Sequence, residues 1–245
     1  MLKEKERQLF ERWQKERGYT SFIRDGIFNG SLWEEQPVKV TFVLKEANWE
    51  NGTIDLCQWL LEENKGSYWK TWNNIARWSK ALLDGGEYPR CVSKANKSYW
   101  LSRVSFMNLK KVGGGRQADN ALLREFAGQD ARFIREQLSL YAPDVIICCG
   151  RWIVADILRQ NVLLRQTLSG WQKTRGGSDF FYVQLNEKET PVPVVSFYHP
   201  QHIASHAVFE DWYDNMRETG EELLSKKQPR EPITLLPPAA ARRSR

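Results

Sequence analysis

The chain contains three histidines, and all of them, His199, His202 and His206, fall within eight residues. They follow a run of strand-forming residues in the stretch "VSFYHPQHI", 195–203. Histidines scattered over 245 residues would carry little information. Three in one short loop after a buried-looking strand mark a candidate site. A second candidate is "NLKKVGGGR", 108–116, where Lys110, Lys111 and Arg116 flank three consecutive glycines. Glycines admit a close backbone approach, and the cations are of the type that holds phosphates. A plain surface loop has the same composition. The net charge of +6 suits a polyanionic partner and equally describes a merely basic protein. Five of the eleven tryptophans lie between Trp49 and Trp78. Such large aromatics either build core or stack on bases.

Other chemistries find little support. Cys57, Cys91, Cys148 and Cys149 lack CxxC spacing, and the adjacent pair lies in an apolar run where buried free thiols are expected. No metal or iron–sulfur site is therefore expected, and the cysteine usage fits a reducing cytoplasm. The absence of a GxxxxGK[ST] phosphate loop disfavours nucleotide hydrolysis. No window approaches the about 18 apolar residues of a membrane span. The charged N-terminus, "MLKEKERQLFERW", reads as a helix and not as a secretory signal. The expectation is a cytoplasmic monomer with no cofactor and no membrane partner.

The elements that must position these loops alternate in type. "VKVTFVL" (38–44), "RVSFMNL" (103–109), "DVIICCG" (144–150), "FFYVQL" (180–185) and "VPVVSFY" (192–198) read as strands. The third is a continuous apolar run of the kind buried in a parallel sheet. Helical periodicity covers 2–17, 55–83, 120–140, about 151–168 and 207–225. Asp119 or Asn120 would cap the helix over 120–140. This alternation predicts an α/β fold of three layers, α/β/α, around a mostly parallel central sheet. Residues 1–225 are expected to form one domain, followed by a proline-rich basic tail over 226–245. Ligands of such sheets sit beyond the C-terminal ends of the parallel strands. The polar loops "KEANWENG" after 44, "NLKKVGGGR" after 107 and "HPQHI" after 198 should therefore converge on one site.

Four stretches, in this order, resemble motifs of the uracil-DNA glycosylase superfamily. "VTFVLKEANW" resembles the first motif, a strand and a short catalytic loop, in the version reading Gly-Glu-Ala-Pro-Gly. Glu46 and Ala47 match, whereas Lys45, Asn48 and Trp49 depart from it. "VSFMNLKK" resembles the strand that presents a base-reading asparagine, here Asn108. "LREFAGQDARFIREQLSLYAPDVIICCG" resembles the helix and strand that follow. "SFYHPQHI" resembles the last motif, a strand followed by His-Pro-Ser-Pro-Leu, so that His199 and Pro200 match and Ile203 falls at the apolar wedge. The resemblance spans roughly residues 38–215.

It implies a monofunctional DNA glycosylase that flips a target pyrimidine out of duplex or single-stranded DNA and hydrolyses its N-glycosidic bond, leaving an abasic site. Breaking that bond leaves positive charge on the sugar and negative charge on the base. His199 would donate to the departing base, and a carboxylate near the sugar would stabilise the cation and orient water. Ala47 stands where several relatives carry Asp or Asn, which makes Glu46 the leading carboxylate, with Glu50 and Asp55 behind it. Asn108 would read the base edge, with Ala47, Asn48 and Trp49 shaping the pocket. Lys110, Lys111, Arg116, Pro200, Gln201 and His202 would contact DNA, and Ile203 would fill the space that the flipped nucleotide vacates. Structural alternatives stand beside these roles: a loop-capping Glu46, a turn-forming Asn108, and core positions for Trp49 and Ile203. The departures at Lys45 and Asn48 imply a pocket of different shape. Its substrate would be uracil or a bulky modified cytosine, such as the sugar-decorated bases of phage DNA, which would suit a role in defence. The alternative function is a non-catalytic nucleic-acid-binding module, favoured by Ala47. A nuclease would want a cluster of acidic metal ligands, which the sequence does not display.

Overall fold

The β-branched and aromatic runs form the body of one sheet, as their spacing predicts. The computed structural model describes residues 1–50, 52–61, 70–115, 117–186 and 190–225. Its strands are β1 (Ile23–Arg24), β2 (Gly26–Ile27), β3 (Val40–Leu44), β4 (Ile54–Asp55), β5 (Ser105–Asn108), β6 (Val145–Cys149), β7 (Gln172–Lys173), β8 (Asp179–Val183) and β9 (Val192–Phe197). Its α-helices are α1 (Leu2–Arg17), α2 (Gly30–Glu35), α3 (Leu56–Leu61), α4 (Lys70–Leu83), α5 (Lys94–Leu101), α6 (Asn120–Gln129), α7 (Ala131–Tyr141), α8 (Trp152–Ile157) and α9 (His206–Leu224). The main sheet runs β2-β5-β3-β6-β9-β8-β7. Its four central strands are mutually parallel, and β2, β7 and β8 pair antiparallel at the two edges.

Successive side chains of a strand point to opposite faces, and each central strand serves two cores. Phe42, Phe106, Ile147 and Val195 pack with α4, α5 and α9 on one face. Val43, Met107, Ile146 and Val194 pack with α1, α6, α7 and α8 on the other. The fold is thus α/β, with a mostly parallel sheet and helices on both faces. From β3 the chain goes to β5 on one side, then returns across β3 to β6 on the other. That reversal opens a crevice at the C-terminal ends of the strands.

Several elements differ from the sequence reading. The helix expected over 55–83 is α3 and α4, and residues 62–69 lie outside the described residues, as does the tail over 226–245. The helix over 120–140 divides at Asp130 into α6 and α7. The Asp130 carboxylate accepts the Tyr19 hydroxyl at 2.8 Å, a tertiary contact that periodicity does not encode. Asp119 caps α6, accepting the amides of Ala121 and Leu122 at 2.8 and 3.3 Å. The helix over 151–168 is α only to Ile157 and continues as a π-turn, Leu158–Val162, and a 3₁₀ turn, Leu164–Gln166. The short elements β1, β2, β4, β7, α2 and α5 carry too few periodic residues to be read from sequence. Among the described residues, no helix is long and apolar enough to cross a membrane.

Candidate functional site

The loops after β3, β5 and β9 meet in a cleft of about 670 Å³ at the C-terminal end of the sheet. Glu46, Asn108 and His199 all line it, although they are far apart in sequence. Trp49, Trp59 and Trp72 give it an aromatic wall. Trp49 meets Trp59 edge-on at 5.9 Å, and Trp72 meets Phe106 of β5 at 4.8 Å. The tryptophan-rich segment therefore both packs the core and faces the cleft.

The His-Pro loop is held at several points. Tyr198 stacks on Trp212 of α9 at 4.0 Å. Pro200 is buried, and its carbonyl accepts Asn74 Nδ2 of α4 at 2.8 Å. His199 O accepts the His202 amide at 3.0 Å, and His199 Nδ1 accepts the Gln201 amide at 3.2 Å. With Nδ1 an acceptor, the proton of the neutral ring is on Nε2. Burial, the Lys45 ammonium and His202 together push the His199 pKa below its ordinary 6.5. The ring is then neutral at pH 7 and keeps one donor, Nε2–H.

Glu46 is the sole carboxylate among the described residues lining the cleft. Its Oε2 is ion-paired with Lys110 Nζ at 2.7 Å, both side chains being over nine-tenths buried. Asp55 instead starts α3, accepting the Gln58 amide at 2.9 Å, and Glu50 is exposed and outside the lining. Gly113 and Gly114 have an internal use, whereas Gly115 faces open space. A Cβ on Gly113 would lie 1.7 Å from the Trp49 carbonyl oxygen, and one on Gly114 would lie 2.1 Å from the Glu46 carboxyl. Gly114 N donates to Ala47 O at 2.9 Å, and Asn48 bridges to Gly114. The close approach is thus made to the loop after β3.

This packing corrects the expected phosphate contacts. Lys111 is fully buried, with its ammonium 2.6 and 2.7 Å from the two oxygens of Asp25. It also sits over the Phe10 and Trp13 rings of α1 at 5.5 and 5.1 Å. Lys110 is committed to Glu46 and to the Gly113 carbonyl at 3.3 Å. Neither lysine reaches a phosphate without breaking an ion pair. Pro200 is likewise a buried loop anchor and not a contact surface. Arg116 lies outside the described residues. Gln201, His202 and Ile203 are exposed, and Ile203, at 79 % exposure, is not core.

Three residues to which the sequence reading gave no role bear on the site, Lys45 having been noted only as a departure from the first motif. Lys45 lines the cleft and donates to Asn120 Oδ1 at 3.1 Å. Arg151, which starts α8 with φ 53°, is exposed beside the His-Pro loop, its guanidinium 4.9 Å from the Tyr198 ring centre. It follows Gly150 at the end of β6, a strand-end position that could have drawn attention. Asp25 lies between β1 and β2, and its Oδ2 accepts both the backbone amide and the Nδ2 of Asn108, at 2.7 and 3.2 Å. No local signal marks it. Among the described residues, no three His, Cys, Asp or Glu side chains come together as metal ligands.

A scan against protein-family models finds no match for the chain, and a search of curated proteins finds none either.

Proposed function

We propose that the chain is a monofunctional DNA glycosylase with a uracil-DNA glycosylase-like fold. The observation that carries this reading is the convergence of Glu46, Asn108 and His199 in one cleft at the C-terminal ends of parallel strands. A flipped pyrimidine enters that cleft, and Asn108 reads its edge. As the bond to the sugar breaks, the Nε2–H of neutral His199 donates to the negative charge growing on the base. The Lys45 ammonium, close enough to lower the His199 pKa, adds to the same field. Glu46 supplies negative charge toward the sugar and orients water, with Lys110 fixing the carboxylate through Oε2. Ile203 fills the gap left in the duplex, and Arg151 and Lys45 supply the cations that Lys110 and Lys111 do not.

The volume and tryptophan wall suit a base larger than uracil, such as a modified cytosine bearing a sugar, and a role against foreign DNA. Incubation with DNAs containing uracil or phage-type modified cytosines tests the proposal. Abasic sites, revealed by alkali, and the free base, seen by mass spectrometry, are expected from one of them; intact DNA throughout would count against it. Ala47 and the Lys110–Glu46 ion pair favour a second reading, a nucleic-acid-binding module without chemistry. That module would bind the same DNAs and release no base.

A further inference from the structure

We infer that Asp25, held in place by Lys111, fixes the orientation of the Asn108 amide and thereby decides which pyrimidine edge the cleft accepts. The inference rests on the glycosylase reading for its ligand, a pyrimidine in DNA. An asparagine amide offers an oxygen acceptor on one side and an N–H donor on the other. Its last torsion is broad and roughly two-fold, so a free amide turns over readily. A turned amide matches the opposite base edge. Oxygen toward an exocyclic amine and N–H toward a bare ring nitrogen suits a cytosine-type base. The reverse suits a uracil-type base, with its ring N–H and C4 oxygen. An unrestrained Asn108 would accept both.

Asp25 removes that freedom. Its Oδ2 takes the Asn108 backbone amide at 2.7 Å and Nδ2 at 3.2 Å. Were the amide turned over, Oδ1 would face a carboxylate oxygen, acceptor against acceptor. Asp25 cannot turn away, because Lys111 Nζ bonds both of its oxygens and Gln137 Nε2 donates to Oδ1 at 3.0 Å. The side chains of Asp25 and Lys111 are both 0 % exposed, so water cannot substitute for either. Asn108 lines the cleft, and Nδ2 is the amide atom turned to Asp25. A site built to make a given hydrogen bond rejects the ligand that leaves its buried groups unpaired. Asp25 is thus a positioning residue, acting through Asn108 on specificity.

The test compares the parent with Asp25→Leu/Lys111→Met, which removes the acceptor that locks the amide and its buried counter-charge together. Single-turnover excision is measured on paired DNAs that differ only by exchange of the C4 amino and oxo groups, uracil against cytosine and each modified cytosine against its uracil counterpart. The preference is expected to shrink by about tenfold, roughly the worth of one misplaced hydrogen bond. An unchanged preference in a cooperatively folding double variant would overturn the inference. The second arm is NMR of the parent, with the Asn108 side-chain amide identified by its loss in Asn108→Ala. One Nδ2 proton is expected to exchange with water at least about tenfold more slowly than those of exposed asparagines, and equally fast exchange would overturn the lock. Should the parent release no base from either DNA, the glycosylase reading fails and the NMR arm alone judges the lock.

Discussion

Asn74 Nδ2 donates to the carbonyl of Pro200 across 2.8 Å, joining α4 to the His-Pro loop over 126 residues of sequence. The bond is buried, so truncating Asn74 leaves a carbonyl without a donor. We expect Asn74→Ala to cost about 1–3 kcal/mol of stability, read by chemical denaturation. His199 would lose a support of its loop, so base release should slow further than DNA binding weakens. An unchanged denaturation midpoint would mean that water replaces the amide.

The His199 pKa sits below 6.5, through burial first and then the Lys45 and His202 charges. Protonating Nδ1 would set two N–H groups against each other at Gln201. Base release should therefore be flat through neutral pH and fall on an acid limb below 6.5. The same group contributes stability that is complete above 6.5 and is lost as pH falls through its depressed folded value. Lys45→Met removes a neighbouring cation, eases protonation, and should move the acid limb upward toward 6.5. A pH–rate profile of the two proteins checks the direction; a limb that moves down contradicts it.

Lysine at 111 and arginine at 151 should behave oppositely. Lys111→Ala leaves Asp25 buried without its cation and should cost about 3–5 kcal/mol of stability, with no change in the salt slope of DNA binding. Arg151→Ala should leave stability nearly unchanged, weaken binding to all sequences alike, and flatten the salt slope by about one phosphate contact. Thermal unfolding and binding at several salt concentrations separate the two. A lower salt slope in a folded Lys111→Ala protein would reopen the phosphate role for that residue.

Ile203 is 79 % exposed, so Ile203→Ala should barely alter stability. Its effect should appear in duplex DNA, where the stack must be opened, and be nearly absent on single strands. Matched single-turnover rates on the two substrates read this difference. Equal losses on both would argue against a wedge.

The architecture was legible where long apolar runs carried it. The strand ends expected near 44, 107, 149 and 198 and the helix α1 follow from patterning alone, the last strand closing one residue earlier at Phe197, and the three polar strand-end loops, expected to converge, bring Glu46, Asn108 and His199 to one cleft. What stayed hidden depends on contacts distant in sequence. Lys111 looks like a loop cation, yet its partner Asp25 is 86 residues away, and Gln137 reaches the same carboxylate from a separation of 112. The glycine run announced a close approach but not its object, the Glu46–Trp49 loop, which only Gly113 and Gly114 meet. The break at Asp130 coincides with a carboxylate held by Tyr19, 111 residues earlier, and by Arg17, contacts that a helical period does not encode.

Base release by the parent and by His199→Ala, under single turnover on the same DNA, tests the central claim most directly. The Nε2–H of His199 is proposed to act on charge that exists only in the transition state. Its removal should lower the rate by about 10²–10³ while the dissociation constant for DNA stays within about twofold. Equal rates for the two proteins would contradict the catalytic assignment of the cleft.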